Sequence, residues 1–265
     1  MKNLKLMLKL IGKFKLTLAL TCMLGAIALS AQSFDRNLEE LGKLYQAKKY
    51  AEIIKKIESL KASPELDDLK MFVQADALKN LGRKVEALNL YNTLINRYPD
   101  SETALQSRMP QFLLQLETAD ENTVARLEAV GREMPTPWLR GTALEKLSEL
   151  PFLKPGRKSR IAIQALRGYH LDKPFYRSAA ASQGLLKKML QNPDVWAFED
   201  DEWLEILLMA NSEGVIGEFF KKSHNQAKLL GKWGQPAIDL FKAEHLRSSK
   251  KLAQAMPLYN SVINA

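Results

Sequence analysis

The 265-residue sequence predicts an all-α fold built from repeated helical pairs. Three observations carry that prediction. Apolar residues recur at helical spacing from Phe34 onward, turn-forming residues are few, and one seven-residue string occurs twice in nearly identical form. Glycine and proline number 13 and 11, and most prolines lie between apolar stretches rather than inside them. A sheet-rich chain of this length would need many more turn residues.

In residues 37–61, Leu38, Leu41, Leu44 and Tyr45 form one apolar stripe, and Ile53, Ile54, Ile57 and Leu60 form another. The polar turn Ala47-Lys48-Lys49-Tyr50 between them has the length used between antiparallel helices. Ser63-Pro64 closes the unit, because the residue before proline is biased away from helix. The next unit follows the same plan. Met71, Phe72, Ala75 and Leu78 share a face, a turn begins at Leu81-Gly82, and Ala87, Leu88, Tyr91, Leu94 and Ile95 form the second face before Tyr98-Pro99. Near the C-terminus Ala243 and Leu246 precede a polar turn over 247–251, followed by Ala255, Leu258, Tyr259, Val262 and Ile263.

Residues 90–96 read LYNTLIN and residues 258–264 read LYNSVIN, identical at five positions of seven. Ala87 and Ala255 stand three residues before the Leu-Tyr pairs, and Ala75 and Ala243 stand twelve residues earlier still. Matches in a shared register identify these stretches as copies of one unit. The small residues have a physical purpose, since two helices approach closely only where side chains are short.

Ala75, Ala87, Tyr91 and Pro99 resemble the tetratricopeptide repeat (TPR): a small residue on each helix, an aromatic four beyond the second, and a closing proline. Leu41, Gly42, Tyr45, Ile54 and Pro64 resemble the same pattern with a shortened turn. Tyr45, Tyr91 and Tyr259 are read as equivalent core positions of three repeats. The resemblance implies a right-handed superhelical solenoid of antiparallel helix pairs, with TPR-like repeats over 34–101 and again over 235–265. It is similar to repeats of bacterial envelope proteins, among them outer-membrane assembly and Tol–Pal-associated TPR proteins and the helical superstructure of lytic transglycosylases.

Between these ends, residues 102–116, 121–132, 137–150, 157–168, 174–190 and 201–209 read as amphipathic helices without a fixed period. Ser101, Asp120, Thr136 and Asp200 are placed to cap four of them. Residues 102–234 are therefore read as degenerate helical hairpins continuing the solenoid, with a separate helical subdomain as the alternative. Ala265 falls short of the position of a closing proline, so the expectation is either a chain cut from a longer protein or a last face that a partner covers.

The N-terminus points to a compartment. Lys2, Lys5, Lys9, Lys13 and Lys15 precede the uncharged run LTLALTCMLGAIALSA at 16–31. A positive start, a short apolar stretch and small residues at two cleavage positions make residues 1–33 a secretory signal peptide. The expected location is the periplasm or cell envelope, with an uncleaved N-terminal anchor as the alternative. Lipidation at Cys22 is disfavoured by Thr21 before it and by the apolar sequence beyond it. The formal charge of +9 falls to +4 once the five leader lysines are set aside (34 basic against 30 acidic residues), and a surplus that small gives no nucleic-acid signature.

No catalytic or cofactor-binding motif is present, so no enzyme activity, metal or cofactor is expected of this chain. His170, His224 and His245 share no metal-ligand spacing. The glycines of 214–217 and 231–234 follow no strand and read as helix ends. Glu199-Asp200-Asp201-Glu202 precedes an apolar run and reads as a helix start favoured by the dipole. Arg157, Lys158 and Arg160 form the one compact basic patch, and they open a helix, where cations are unfavourable unless compensated. They are the candidate contact for an anionic partner. Trp138, Trp196, Trp203 and Trp233 lie outside the regular repeats and read as residues covered by loops more readily than as contact sites.

Two functions fit the sequence. One is an exported scaffold that mediates protein or peptide binding in the envelope, near peptidoglycan or a membrane surface. The other is the non-catalytic superhelical part of a longer peptidoglycan lytic transglycosylase.

Overall fold

Three interhelical turns share one backbone path and set the register of the repeats. In the computed structural model, Lys48, Gly82 and Lys250 all adopt positive φ, at 57°, 78° and 60°. Each sits in the same pair of helix-ending hydrogen bonds. Arg83 N–H donates to the Leu78 carbonyl at 3.0 Å, and Gly82 N–H to Lys79 at 3.0 Å. Lys49 and Lys48 repeat this with Leu44 and Tyr45, and Lys251 and Lys250 with Leu246 and Arg247. This is the double bond of a Schellman helix end, with the left-handed residue at its usual place. Lysine holds that conformation at two of the three positions.

The structure describes residues 32–60, 66–172, 176–221 and 226–264. The leader, Cys22, Ser63-Pro64, the start proposed at Pro174, His224 and Ala265 lie outside them. The described residues are helical with no strand, and they form an all-α helical-repeat protein. The chain divides into two compact units, Met1–Gln115 and Leu116–Ala265.

The first unit contains α1 (Gln32–Gln46), α2 (Tyr50–Ser59), α3 (Asp67–Asn80), α4 (Lys84–Arg97) and most of α5 (Glu102–Glu117). Helices α3 and α4 pack most closely, across Ala75, Ala77 and Ala87, all with no exposed surface. Lys48 and Gly82 stand 34 residues apart. That spacing pairs Leu41 with Ala75, Ile53 with Ala87 and Ile57 with Tyr91, and all six side chains are buried. The turn after α1 therefore has the length of the turn after α3, and Leu41 stands at the position of Ala75; the shortened closing segment ending at Pro64 lies outside the described residues. The α3 acids close the unit: Tyr98 donates to Asp67 at 3.1 Å and Thr103 to Asp68 at 2.7 Å. Ser101 caps α5 by accepting the Ala104 N–H at 3.1 Å.

The second unit holds α6 (Val124–Arg132), α7 (Pro137–Ser148), α8 (Pro155–Leu171), α9 (Tyr176–Gln191), α10 (Asp200–Ser212), the short α11 (Gly217–Phe220) and α12 (Gln226–Leu229), α13 (Gly234–Ser248) and α14 (Leu252–Ile263). Thr136 caps α7 as its sequence predicts, accepting the Leu139 N–H at 3.2 Å. Two other starts shift. Helix α6 begins at Val124, after a turn in which Asp120 and Thr123 accept each other's backbone N–H groups at 2.9 Å. The cap of α10 is Glu199 rather than Asp200, in a capping box with Glu202.

Helices α7 and α8 come together on glycine. A Cβ on Gly168 would lie 3.0 Å from the Gly141 nitrogen, and one on Gly141 would lie 2.6 Å from the Tyr169 ring. Backbone thus packs on backbone between the two helices.

Candidate binding surfaces

A buried carboxylate organises the first unit. Asp76, on the apolar side of α3, is only 2% exposed. It accepts from the hydroxyls of Tyr45 on α1 and Tyr91 on α4, the latter at 3.3 Å, and pairs with Lys79. Asn80 adds a bond at 3.1 Å. A buried charge is tolerated when it is satisfied in this way. Burial first, and then the neighbouring carboxylate, push the Tyr45 and Tyr91 hydroxyls above the ordinary tyrosine range. Tyr45 is therefore not the counterpart of Tyr91. It comes from the first helix of its pair and meets Tyr91 at a shared acceptor.

The same tie recurs in the second unit. Tyr259 on α14 donates to Glu244 on α13 at 2.5 Å, and Glu244 pairs with Arg247 at 2.6 Å. Asp76, Lys79 and Tyr91 become Glu244, Arg247 and Tyr259 at one constant offset of 168 residues. The bond to Arg247, then that from Tyr259, holds the Glu244 carboxyl below its usual range. Helices α7 and α8 carry a looser version, in which Tyr169 donates to Glu145 at 2.6 Å and Lys188 bridges Glu145 and Glu149. In each pair a tyrosine of the second helix reaches an acid of the first. The acids were missed in the sequence because one acidic residue within an apolar stretch reads as a solvent-facing position.

The basic patch engages two different neighbours. Arg157 lies 3.5 Å from Glu128 of α6, which compensates its charge at the α8 N-terminus. The Lys158 ammonium sits 5.1 Å above the Trp196 ring, which stacks on Phe198. Arg160 is exposed.

The acidic run at the start of α10 has a structural partner. Asp200 accepts the Lys232 N–H at 3.0 Å, while Asp201 takes the Lys232 ammonium at 2.9 Å and the Trp233 indole N–H at 3.1 Å. These contacts fasten the turn Gly231–Trp233 to α10, and both glycine pairs are indeed helix ends. The tryptophans divide: Trp203 is buried, Trp138 and Trp196 are half-buried beneath the cations of Arg177 and Lys158, and Trp233 is exposed. His170 lies 3.8 Å from Glu213 and in the last turn of α8. His245 packs against Phe220 and the backbone of Gly217, at the wall of a cavity of about 500 Å³ that Lys187 and Val215 also line. Among the described residues no cluster of His, Cys, Asp and Glu could hold a metal, and no helix is long and apolar enough to cross a membrane.

Helix α14 has the other notable surface. Leu252, Met256 and Ile263 are 59%, 54% and 79% exposed along one side. From Leu252 to Ile263 the helix carries no charged residue.

The tetratricopeptide-repeat family model matches residues 71–101, which span most of α3 and all of α4. No curated protein and no solved structure matches the chain. The match and the helix pairs around it define a TPR-like helical-repeat protein, a class whose repeats suggest a protein–protein interaction scaffold.

Proposed function

We propose that this chain is an exported scaffold that binds a protein or peptide partner in the cell envelope and performs no chemistry of its own. The observation that carries the reading is the TPR match at 71–101, with its geometric echo in α13 and α14. Stacked helix pairs offer an extended, rigid surface that suits partner recognition. The export half rests on the leader, in which five lysines precede an uncharged run with small residues at its end. The exposed Arg160, beside Arg157 and Lys158, suits an acidic patch on such a partner.

The test is to express the whole chain with a C-terminal tag in a bacterial host, separate the compartments, and crosslink the envelope fraction. A shortened chain beginning near Ala31 or Phe34 in the exported fraction is expected, with discrete crosslinked protein bands. Full-length chain confined to the cytoplasm would end the export reading. An exported chain that crosslinks to nothing would end the scaffold reading.

A further inference from the structure

We infer that the apolar side of α14 is a docking surface for one amphipathic helix of a partner protein, of the kind α5 presents to α4. The inference rests on the reading of the chain as a protein-binding scaffold and names one surface of it.

The chain contains both a covered and an uncovered copy of the same surface. In the covered copy, LYNTLIN of α4 meets α5. Ala104 and Leu114 of α5 join the core that contains Tyr91 and Leu94, and Gln111 donates to Asn92 at 2.5 Å. Leu94 is wholly buried there, and Leu88, Asn92 and Ile95 are half-buried. In the uncovered copy, LYNSVIN of α14, every one of these positions is more exposed. Val262 replaces Leu94 and is half-buried, Met256 replaces Leu88 and is 54% exposed, and Ile263 replaces Ile95 and is 79% exposed. Asn260, the counterpart of Asn92, is exposed.

Charge specifies the partner further. In the first two turns a cation pairs with an acid three residues on, Lys49 with Glu52 at 2.9 Å and Arg83 with Glu86 at 2.5 Å. The third turn has Lys251, but Gln254 stands where the acid would be. Lys250 and Lys251 are exposed at the edge of an uncharged helix. A partner helix with small and leucine side chains, a glutamine facing Asn260, and an acid near the start of α14 fits both the apolar strip and its rim.

The probe is a fluorescein-labelled synthetic peptide of residues 102–117, ETALQSRMPQFLLQLE, which carries Ala104, Gln111, Leu114 and a terminal Glu117. Fluorescence anisotropy with the purified chain should show saturable binding. Met256→Asp and Ile263→Asp should each weaken it at least about tenfold, and both replace exposed residues, so circular dichroism should be unchanged. Absence of saturable binding, or binding that ignores Met256→Asp, overturns the proposal. So does a dimer, by light scattering, that Met256→Asp converts to monomer, because the face then belongs to a second copy. If crosslinked envelope partners persist unchanged in Met256→Asp, the docking surface is wrong while the scaffold reading stands.

Discussion

Tyr91 reaches from the second helix of its pair to Asp76 on the first, hydroxyl to carboxylate, across 3.3 Å of buried space. The equivalent bond from Tyr259 to Glu244 lies at a half-exposed site. The two ties share a geometry and differ in burial, and that difference predicts different energies.

Removing the buried acceptor leaves the Tyr91 hydroxyl unsatisfied in an apolar setting and takes the carboxylate from the half-buried Tyr45 and Lys79. Asp76→Ala should cost about 2–4 kcal/mol. Glu244→Ala, where water replaces the lost acceptor, should cost less than about 1 kcal/mol. Hydrogen exchange of the α3–α4 and α13–α14 amides reads the two changes separately. Equal effects would remove the distinction.

The tyrosines also set an alkaline limit. Tyr91 and Tyr169 are buried, and burial raises both hydroxyls far above the ordinary value of 10.0. Below that value the unfolded and folded chains hold the same protons. Above it the unfolded tyrosines ionise while the folded ones stay neutral, so stability falls as pH rises. Each group contributes at most about 1.4 kcal/mol per pH unit. Urea midpoints followed from about pH 9 to about pH 11.5 should decline, and Tyr91→Phe should flatten the decline. A midpoint constant over that range would show these hydroxyls to be accessible.

The contact of Gly141 with Gly168 leaves no room for a methyl group. Gly168→Ala would place its Cβ against the Gly141 backbone, which cannot yield as a flexible side chain can, and Gly141→Ala would strike the Tyr169 ring. Each should destabilise by about 1–3 kcal/mol. Gly184→Ala, in α9 with nothing within 4 Å of the new Cβ, should stabilise by up to about 1 kcal/mol. Thermal melts of the three variants give the order, and a stabilising Gly168→Ala would contradict the packing.

Gly231 has φ of 44°, and a Cβ there would run into the Asp200 carboxylate. Gly231→Ala should therefore lift the Gly231–Trp233 turn off α10 and speed amide exchange in that turn. Gly156→Ala, which meets nothing within 4 Å, serves as the comparison and should leave exchange unchanged.

Helix type and order were legible in the sequence because apolar periodicity is a local signal. The stretches read at 102–116 and 137–150 appear as Glu102–Glu117 and Pro137–Ser148. What escaped depended on contacts between helices. Asp76 is recognisable only once Tyr45 and Tyr91 are seen to converge on it. The turn of the first repeat is set by the left-handed Lys48, and lysine gives no sequence signal for that conformation. The compensation of Arg157 by Glu128 likewise joins residues of two helices that no local pattern connects.

The three matched turns bear on how chains of this kind change over time. One residue inserted into or deleted from such a loop would rotate the following helix by about 100°. Ile53, Tyr91 or Ala255 would swing out of its interface, with every neighbour on that helix. Side chains in the loop carry no such penalty, since Gly82 gives way to Lys48 and Lys250 on the same path. A changed side chain at the left-handed position costs about 1–2 kcal/mol, whereas a changed loop length misplaces a whole helix face, so length is the more tightly held property of these turns.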